Sequence, residues 1–271
     1  MKWFSNGLLI LLLSFWMATV SFAQKPAPLE GQPLVDSLLK VLPAQKEDTN
    51  KVKMLTDLAF ILCRINPDQG VKYAQQELDL AIKLGWKKGI AAANSELGVN
   101  YQSKADYATA LQYFQKALEI DKEIGNKKGI AAVTGNIGNV AKYLGDYPGA
   151  LTCLLQVLKM HEDLGDKGGI ATDNENIGNI YEEQADYQDA QAYYLKALKM
   201  DEDLGDKNGI AGDLGNLGSF YDAQGDLPEA LVCYFKVLKL EDEIGDRVVI
   251  ASVIGNIGSV YAKEKDNITA L

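Results

Sequence analysis

Apolar positions recur with helical spacing along most of the chain, and the same pattern returns every 40 residues. Within residues 130–144, apolar side chains follow one another at intervals of three and four, which places them on one face of a helix. This stretch ends at Gly145, and Asp146 is placed to cap a second helix that buries Ala150. Strand-like alternation is not found in the sequence. We therefore predict an all-α chain built from antiparallel helix pairs, in which the first helix of each pair is called helix A and the second helix B.

Four residue types mark each repeat, and all four stay in one register along the chain. Self-similarity at a fixed period is the signature of a solenoid, in which each unit packs only on its neighbours. The sequence therefore predicts an α-solenoid. The markers are Ile90, Ile130, Ile170, Ile210 and Ile250; Gly98, Gly138, Gly178, Gly218 and Gly258; Asp106, Asp146, Asp186, Asp226 and Asp266; and Ala110, Ala150, Ala190, Ala230 and Ala270.

The register divides the chain after residue 48 into six units. The first unit is degenerate, with helix A predicted over residues 51–65 and Asn66-Pro67 as the start of helix B. The last unit stops about one turn into helix B, which would leave an apolar face uncovered and suggests that the sequence is a fragment of a longer protein. The predicted units are 49–88, 89–128, 129–168, 169–208, 209–248 and the truncated 249–271.

The residues at the helix-pair contacts resemble those of the tetratricopeptide repeat family. A Gly on helix A and an Ala on helix B let two backbones approach, and an aromatic or leucine side chain fills the adjoining gap. HEAT-type repeats share the period of 40 but lack this signature, and they are the alternative. The matching sets are Leu97-Gly98-x-x-Tyr101 with Ala110, Phe114 and Ala117; Ile137-Gly138 with Ala150, Leu154 and Val157; Ile177-Gly178-x-x-Tyr181 with Ala190, Tyr194 and Ala197; and Leu217-Gly218-x-x-Tyr221 with Ala230, Tyr234 and Val237.

Two departures place the chain nearer to the longer repeats of kinesin light chain. The period exceeds the about 34 residues usual for the family, and glycine stands where a proline normally follows helix B. We expect the additional residues to lengthen helix B. The resemblance implies a right-handed superhelix whose A helices line a concave groove for protein or peptide ligands.

The N-terminal residues are typical of a secretory signal. Lys2 precedes an apolar run over residues 8–20, and Ser21-Phe22-Ala23 places small residues where a signal peptidase cleaves. The run is shorter than the about 20 residues that span a bilayer, although an uncleaved anchor is the alternative. We predict a signal peptide at 1–23, a tether and capping helix within 24–48, and a periplasmic or extracytoplasmic location, with a membrane tether beyond residue 271 as an open alternative.

Charge and composition argue against several function classes. Asp and Glu number 37 against 27 Lys and Arg, giving a net charge of −10, so nucleic acid and anionic membranes would repel the chain. One histidine and three cysteines offer little for a metal site, and we expect no cofactor. Cys153 and Cys233 occupy equivalent repeat positions and are expected to be buried small hydrophobes rather than a disulfide.

No residue pattern predicts catalysis. GxSxG, GxxxxGK[ST] and HExxH motifs are absent from the sequence. His161 stands at a helix B position that is acidic in other units, and we expect a solvated surface histidine. The glycine-rich segment 135–138 lies within helix A, lacks the lysine of a phosphate loop, and is interpreted as packing. We therefore predict a non-enzymatic protein.

One polar pattern suggests a ligand site. Asparagines recur on helix A at 40-residue intervals, and two more follow three residues later on the same face. An Asn amide offers a donor and an acceptor, as a peptide bond does, so a row of them suits an extended peptide. The alternative is that each amide braces the neighbouring helix. The predicted peptide-binding residues are Asn136, Asn139, Asn176, Asn179, Asn216, Asn256, Glu175 and Tyr143.

Two functions remain after these exclusions. The first is a scaffold that presents its groove to a neutral or basic protein segment, because lysines and arginines that would hold an acidic ligand are missing there. The second is the extracytoplasmic input region of a membrane signalling protein, a histidine kinase, a nucleotide cyclase or a DNA-binding regulator, because similar repeats ending in Leu-Gly-Asp-Lys-x-Gly-Ile-Ala occur in such bacterial proteins.

Overall fold

The structure, a computed structural model, describes residues 31–270, with side chains described as far as residue 265. The signal peptide predicted at 1–23 and the first part of the predicted tether lie outside these residues. A capping helix α1 spans Gln32–Val41 and continues into a 3₁₀ turn at Leu42–Ala44. The A helices are α2 (Thr49–Ile65), α4 (Lys87–Ser103), α6 (Lys127–Tyr143), α8 (Lys167–Glu183), α10 (Lys207–Gln224) and α12 (Arg247–Ala270); the B helices are α3 (Pro67–Lys83), α5 (Tyr107–Glu123), α7 (Tyr147–Leu164), α9 (Tyr187–Leu204) and α11 (Leu227–Ile244).

The predicted all-α solenoid is confirmed. Over residues 31–270 the chain forms helices without any strand, and each helix from α2 onward packs on the helices before and after it in sequence. The buried core is correspondingly a series of clusters along the array rather than a single centre. None of the helices in this range is long and apolar enough to cross a membrane.

Glycine and aspartate end and begin the helices as the sequence predicts. Gly165 closes α7 in the left-handed conformation at φ 66°, and the Asp166 carboxylate then accepts a hydrogen bond from the Gly169 N–H (3.1 Å), capping α8. Asp146 caps α7 in the same way through the Gly149 N–H (3.0 Å). Asp226 stands at the same position before α11, but its side chain makes no cap hydrogen bond.

Close helix contacts follow the glycine and alanine markers. A Cβ placed on Gly178 would lie 2.8 Å from the Tyr194 ring, and one on Gly138 would lie 2.9 Å from the Cys153 Cβ. The marker alanine of helix B, such as Ala150, is fully buried at these crossings. Glycine is therefore required on helix A because the helix B side chains occupy the space of any larger residue.

Two details of the predicted architecture are wrong. The helices of each pair are equally long, 17 or 18 residues each from α2 to α11, so the additional residues do not lengthen helix B alone. The last unit has no break before Asp266, since α12 runs as one helix of 24 residues to Ala270. Lys265 occupies the turn position at which Ala105, Gly145, Ala185 and Gly225 adopt positive φ, and α12 continues through it.

Candidate functional site

The A helices contact one another directly through side chains. Asn216 on α10 donates to the Glu175 carboxylate on α8 (2.8 Å), and Asn100 on α4 donates to the Ala59 carbonyl on α2 (3.2 Å). Two ion pairs continue the series along the array, Lys142–Glu183 at 3.3 Å and Lys263–Asp222 at 2.7 Å.

Within the described part of the chain, no hydrogen bond or ion pair joins two B helices. Helices that approach one another lie at the smaller radius of a curved array. We therefore assign the concave side to the A helices, and we call the surface that carries Asn136, Asn176 and Asn216 the inner groove.

Two of the predicted amides have partners within the protein. The Asn216 amide is held by Glu175 as described above, so both residues brace α10 against α8. Asn179 accepts from the Tyr194 hydroxyl (2.8 Å), which also contacts the Glu182 carboxylate. Tyr194 is 1% exposed, and burial together with Glu182 raises its pKa, so the hydroxyl stays protonated as a donor. At these positions the polar side chains hold helices together.

The other predicted amides have no such partner. Asn136, Asn139 and Asn176 are half-buried on α6 and α8, and Asn256 is exposed on α12. Their side-chain amides make no hydrogen bond to the rest of residues 31–265. Tyr143 is 61% exposed and stacks on Tyr107, with ring centroids 5.8 Å apart. The α6–α8 part of the inner groove therefore carries amide donors and acceptors that remain available.

Several glycines beside these amides do not pack against a neighbouring helix. The interpretation of segment 135–138 as packing holds for Gly138 but is wrong for Gly135, because a Cβ on Gly135 would have no atom within 4 Å. The same is true of Gly212, Gly215 and Gly255 on the same side of α10 and α12. Glycine in a helix interior costs about 1 kcal/mol relative to alanine. The protein carries this cost in the groove without a packing reason inside the described structure.

The carboxylates around the groove already have partners. Glu183 forms an ion pair with Lys142 and accepts a hydrogen bond from the Tyr147 hydroxyl (3.0 Å). Asp222 forms an ion pair with Lys263. At the N-terminal end of the row, Glu96 stands on α4 at the position of Asn136. Burial and then Asp57 raise the pKa of Glu96 to about 7. This buried carboxyl was not predicted from the sequence, because Glu96 continues the row without being an amide.

His161 is not the solvated histidine that the sequence led us to expect. Its Nδ1 lies 2.6 Å from Asp173 Oδ2, and its side chain is only 20% exposed. The last turn of α7 packs on the first half of α8 at Gly169, where a Cβ would meet the His161 ring. His161 and Asp173 are therefore a partly buried pair at a helix interface, and Asp173 lies one helical turn before Asn176 on α8.

Comparison with known proteins agrees with this architecture. Models of the tetratricopeptide repeat match residues 91–124, 129–203 and 214–248, together more than half of the chain. Among curated protein sequences, none is similar enough to count as a relative.

Solved structures share the fold at low sequence identity. NprR in complex with its cognate peptide NprX has a TM-score of 0.64 at 17% identity, covering 87% of this chain and 68% of that one. The Rap protein complexed with competence and sporulation factor has 0.62 at 16%, covering 86% and 70%. BtubC (BKLC) from P. vanneervenii has 0.61 at 19%, covering 78% and 88%. The repeat register, the helix-pair packing and these matches agree, and the chain belongs to the tetratricopeptide repeat family.

Proposed function

We propose that this protein is a non-enzymatic scaffold that binds an extended segment of a protein partner in its inner groove. The observation that carries the proposal is the coincidence of free amides with open glycines. Asn136 and Asn176 offer donors and acceptors without protein partners, and Gly135 and Gly215 leave room beside the row. The similar NprR structure contains a bound peptide, which supports the same use of the fold here.

The chemistry of the groove suits a peptide backbone. Each free Asn side chain presents one carbonyl oxygen and one NH₂ group, which complement the N–H and C=O of a peptide bond. Glycine lacks a Cβ, so a ligand backbone can approach the helix more closely there than at any other residue. Contacts of this kind depend on the main chain of the ligand and only weakly on its side-chain sequence.

The charge of the groove favours a neutral or basic ligand. Glu175, Glu182, Glu183 and Asp222 stand near the amides, against Lys142 and Lys263 as the basic groups. Both lysines are engaged in ion pairs, so an acidic ligand would find few free cations and several carboxylates that repel it. We expect affinity to depend weakly on salt, because amides rather than charges make the main contacts.

The location of the protein is part of the proposal. The signal-like pattern of residues 1–23 supports export from the cytosol, with binding in the periplasm or outside the cell. The alternative function is the input region of a membrane signalling protein, which would use the same groove to detect its ligand. Sequencing beyond residue 271 distinguishes the two, because a signalling protein requires a membrane span and an output domain.

Two double variants test the role of the amides. Peptides selected from a random display library against the full chain serve as ligands, and their affinities are measured by calorimetry. Asn136→Ala with Asn176→Ala removes two free amides. Each lost hydrogen bond is worth about 0.5–1.5 kcal/mol, so we expect affinity to fall roughly tenfold for the pair while the melting temperature changes little.

The matched control removes the two amides that have partners. Asn179→Ala with Asn216→Ala should lower the melting temperature, because Tyr194 and Glu175 lose hydrogen-bond partners. Failure to select any peptide, or full affinity in the Asn136→Ala, Asn176→Ala variant, would refute the proposed groove. The amides would then have no binding role.

A further inference from the structure

One arrangement recurs at three successive interfaces between a B helix and the next A helix, α5–α6, α7–α8 and α9–α10. The last turn of helix B places a side chain on a glycine near the start of helix A, and a residue four positions further along helix A stands opposite. At α7–α8 these residues are His161, Gly169 and Asp173, and the two side chains form the 2.6 Å pair described above. A cationic or neutral imidazole therefore meets the carboxyl of Asp173.

At α9–α10 the same positions hold two carboxyl groups. Asp201 packs on Gly209, where a Cβ would collide with its carboxylate, and Asp213 occupies the position on α10 that Asp173 holds opposite His161 on α8. Asp201 is 8% exposed and Asp213 is 3% exposed. The Asp213 Oδ2 is buried without a hydrogen-bond partner. Two buried carboxylates at facing positions repel each other, and burial disfavours their charged forms, so one of them holds a proton.

The other interfaces avoid this arrangement. Asp121 at α5–α6 accepts from the Asn126 amide (2.7 Å) and faces Val133. Glu241 at α11–α12 faces Val253. Among the interfaces of the described structure, α9–α10 alone sets one acid against another at this position.

The groups around the pair do not compensate its charge. The negative charge of Asp206, in the loop between α9 and α10, raises the pKa of Asp201. The negative charge of Glu175 on α8 raises the pKa of Asp213. The nearby lysines are engaged elsewhere, Lys199 with Asp203 at 3.6 Å and Lys207 with Glu243 at 2.8 Å.

Helix α11 adds no charge to this environment. Its titratable side chains in the shared core are Cys233 and Tyr234, and burial raises the pKa of both, so they stay neutral. Burial, Asp201 and Glu175 raise the pKa of Asp213 to about 8. Burial and Asp206 raise the pKa of Asp201.

We propose that the α9–α10 interface is a proton-dependent joint, closed while Asp201 and Asp213 share one proton and loosened when both are ionised. The two carboxyls bind more protons in the packed interface than in the unfolded chain. The stability of the interface is therefore greatest below the ordinary pKa of an aspartate, falls as the pH rises towards 8, and stays low above that value. The α7–α8 interface cannot develop this repulsion, because the imidazole of His161, which carries no negative charge in either protonation state, stands where Asp201 stands.

The joint acts on the inner groove, a consequence that rests on the proposed function. Asp213 lies three residues before Asn216 on α10, and both residues face groups of α8. Glu175 on α8 raises the pKa of Asp213 and also accepts a hydrogen bond from Asn216, so it connects the joint to the groove. When the α9–α10 interface loosens, α10 moves relative to α8 and the distance between their amides changes. A ligand that spans Asn176 on α8 and the open Gly215 on α10 would therefore bind more tightly at neutral than at alkaline pH.

Hydrogen exchange of the full chain tests the joint without any ligand. Rates are measured at pH 6 and pH 9 and corrected for the intrinsic pH dependence of exchange. We expect protection of the α9 and α10 amides to fall about tenfold or more at pH 9, while α5 and α6, where Val133 stands opposite Asp121, change little. Equal pH responses at the two interfaces would overturn the proposal.

Two variants show which groups are responsible. Asp201→Asn keeps the shape of the side chain, leaves a single acid at the interface, and should abolish the local pH response. Asp213→Asn does the same from the other side and should abolish it if the first variant fails to fold. A pH response that persists in Asp213→Asn contradicts the joint. Because these measurements need no ligand, they can fail or succeed independently of the groove.

Discussion

Glycine serves opposite purposes at neighbouring residues of the same helix. Gly138 faces helix B, where Cys153 and Leu154 leave no room for a side chain, whereas Gly135 faces the open groove. The two residues are three positions apart and share the same helical backbone conformation. Their intrinsic cost to the helix is therefore equal, and only their surroundings differ.

Substitution at the two glycines should consequently have opposite effects on stability. Gly135→Ala adds a methyl group to free space and should stabilise the fold by about 0.5–1 kcal/mol. Gly138→Leu forces a side chain against Cys153 and should destabilise it by about 1–3 kcal/mol or more. Thermal melts of the two variants measure both effects. Destabilisation by Gly135→Ala would show that this glycine has a structural role after all.

At the scale of the helices, the sequence predicted most boundaries because local rules set them. The glycine that ends a helix and the aspartate that begins the next act through their own backbone and its first hydrogen bonds. Contacts between helices were harder to predict. A solvated His161 was predicted, and nothing unusual was predicted at Asp213, because the environment of each depends on which side chain the neighbouring helix places opposite.

The candidate groove was predictable to the same extent. Repetition placed the asparagines on one face of the A helices, since a period of 40 and a helical spacing suffice for that. Which amides were free could not be read from the sequence. Asn179 and Asn176 look alike in the repeat, and only the Tyr194 hydroxyl distinguishes them.

Helix caps offer a matched test at this scale. Asp146 accepts a hydrogen bond from the Gly149 N–H at the start of α7, whereas Asp226 makes no such bond at α11. Asp146→Ala should therefore cost about 0.5–2 kcal/mol, the usual value of an N-cap, and Asp226→Ala clearly less. Chemical denaturation of both variants gives the comparison. Equal losses would mean that Asp226 also caps its helix in solution.

For the whole molecule, buried acids determine how stability depends on pH. Glu77 is fully buried between α2 and α3, where it accepts from the Thr56 hydroxyl (2.8 Å) and leaves its Oε2 without a partner. Burial raises the pKa of Glu77 to about 8, with Glu96 and Asp57 adding to the effect and Thr56 opposing it. Glu77 is therefore protonated in the folded protein at neutral pH.

The sign of the pH effect follows from this raised pKa. The folded protein holds the Glu77 proton more tightly than the unfolded chain does. The contribution of Glu77 to the free energy of unfolding is therefore fully present at low pH and is lost as the pH rises through about 8. The wild-type protein should melt at a lower temperature at pH 9 than at pH 6. Glu77→Gln should reduce this difference, and an unchanged difference would exclude Glu77 as a source.

Because every helix from α2 onward packs chiefly on its sequence neighbours, the array is mechanically a chain of hinges in series. A small rotation at one hinge displaces everything beyond it in proportion to the remaining length. The α9–α10 hinge lies with α10, α11 and α12 on its far side, so a change of proton occupancy there would swing those three helices together. The gain or loss of one proton at this interface would thus change the direction of the array beyond it.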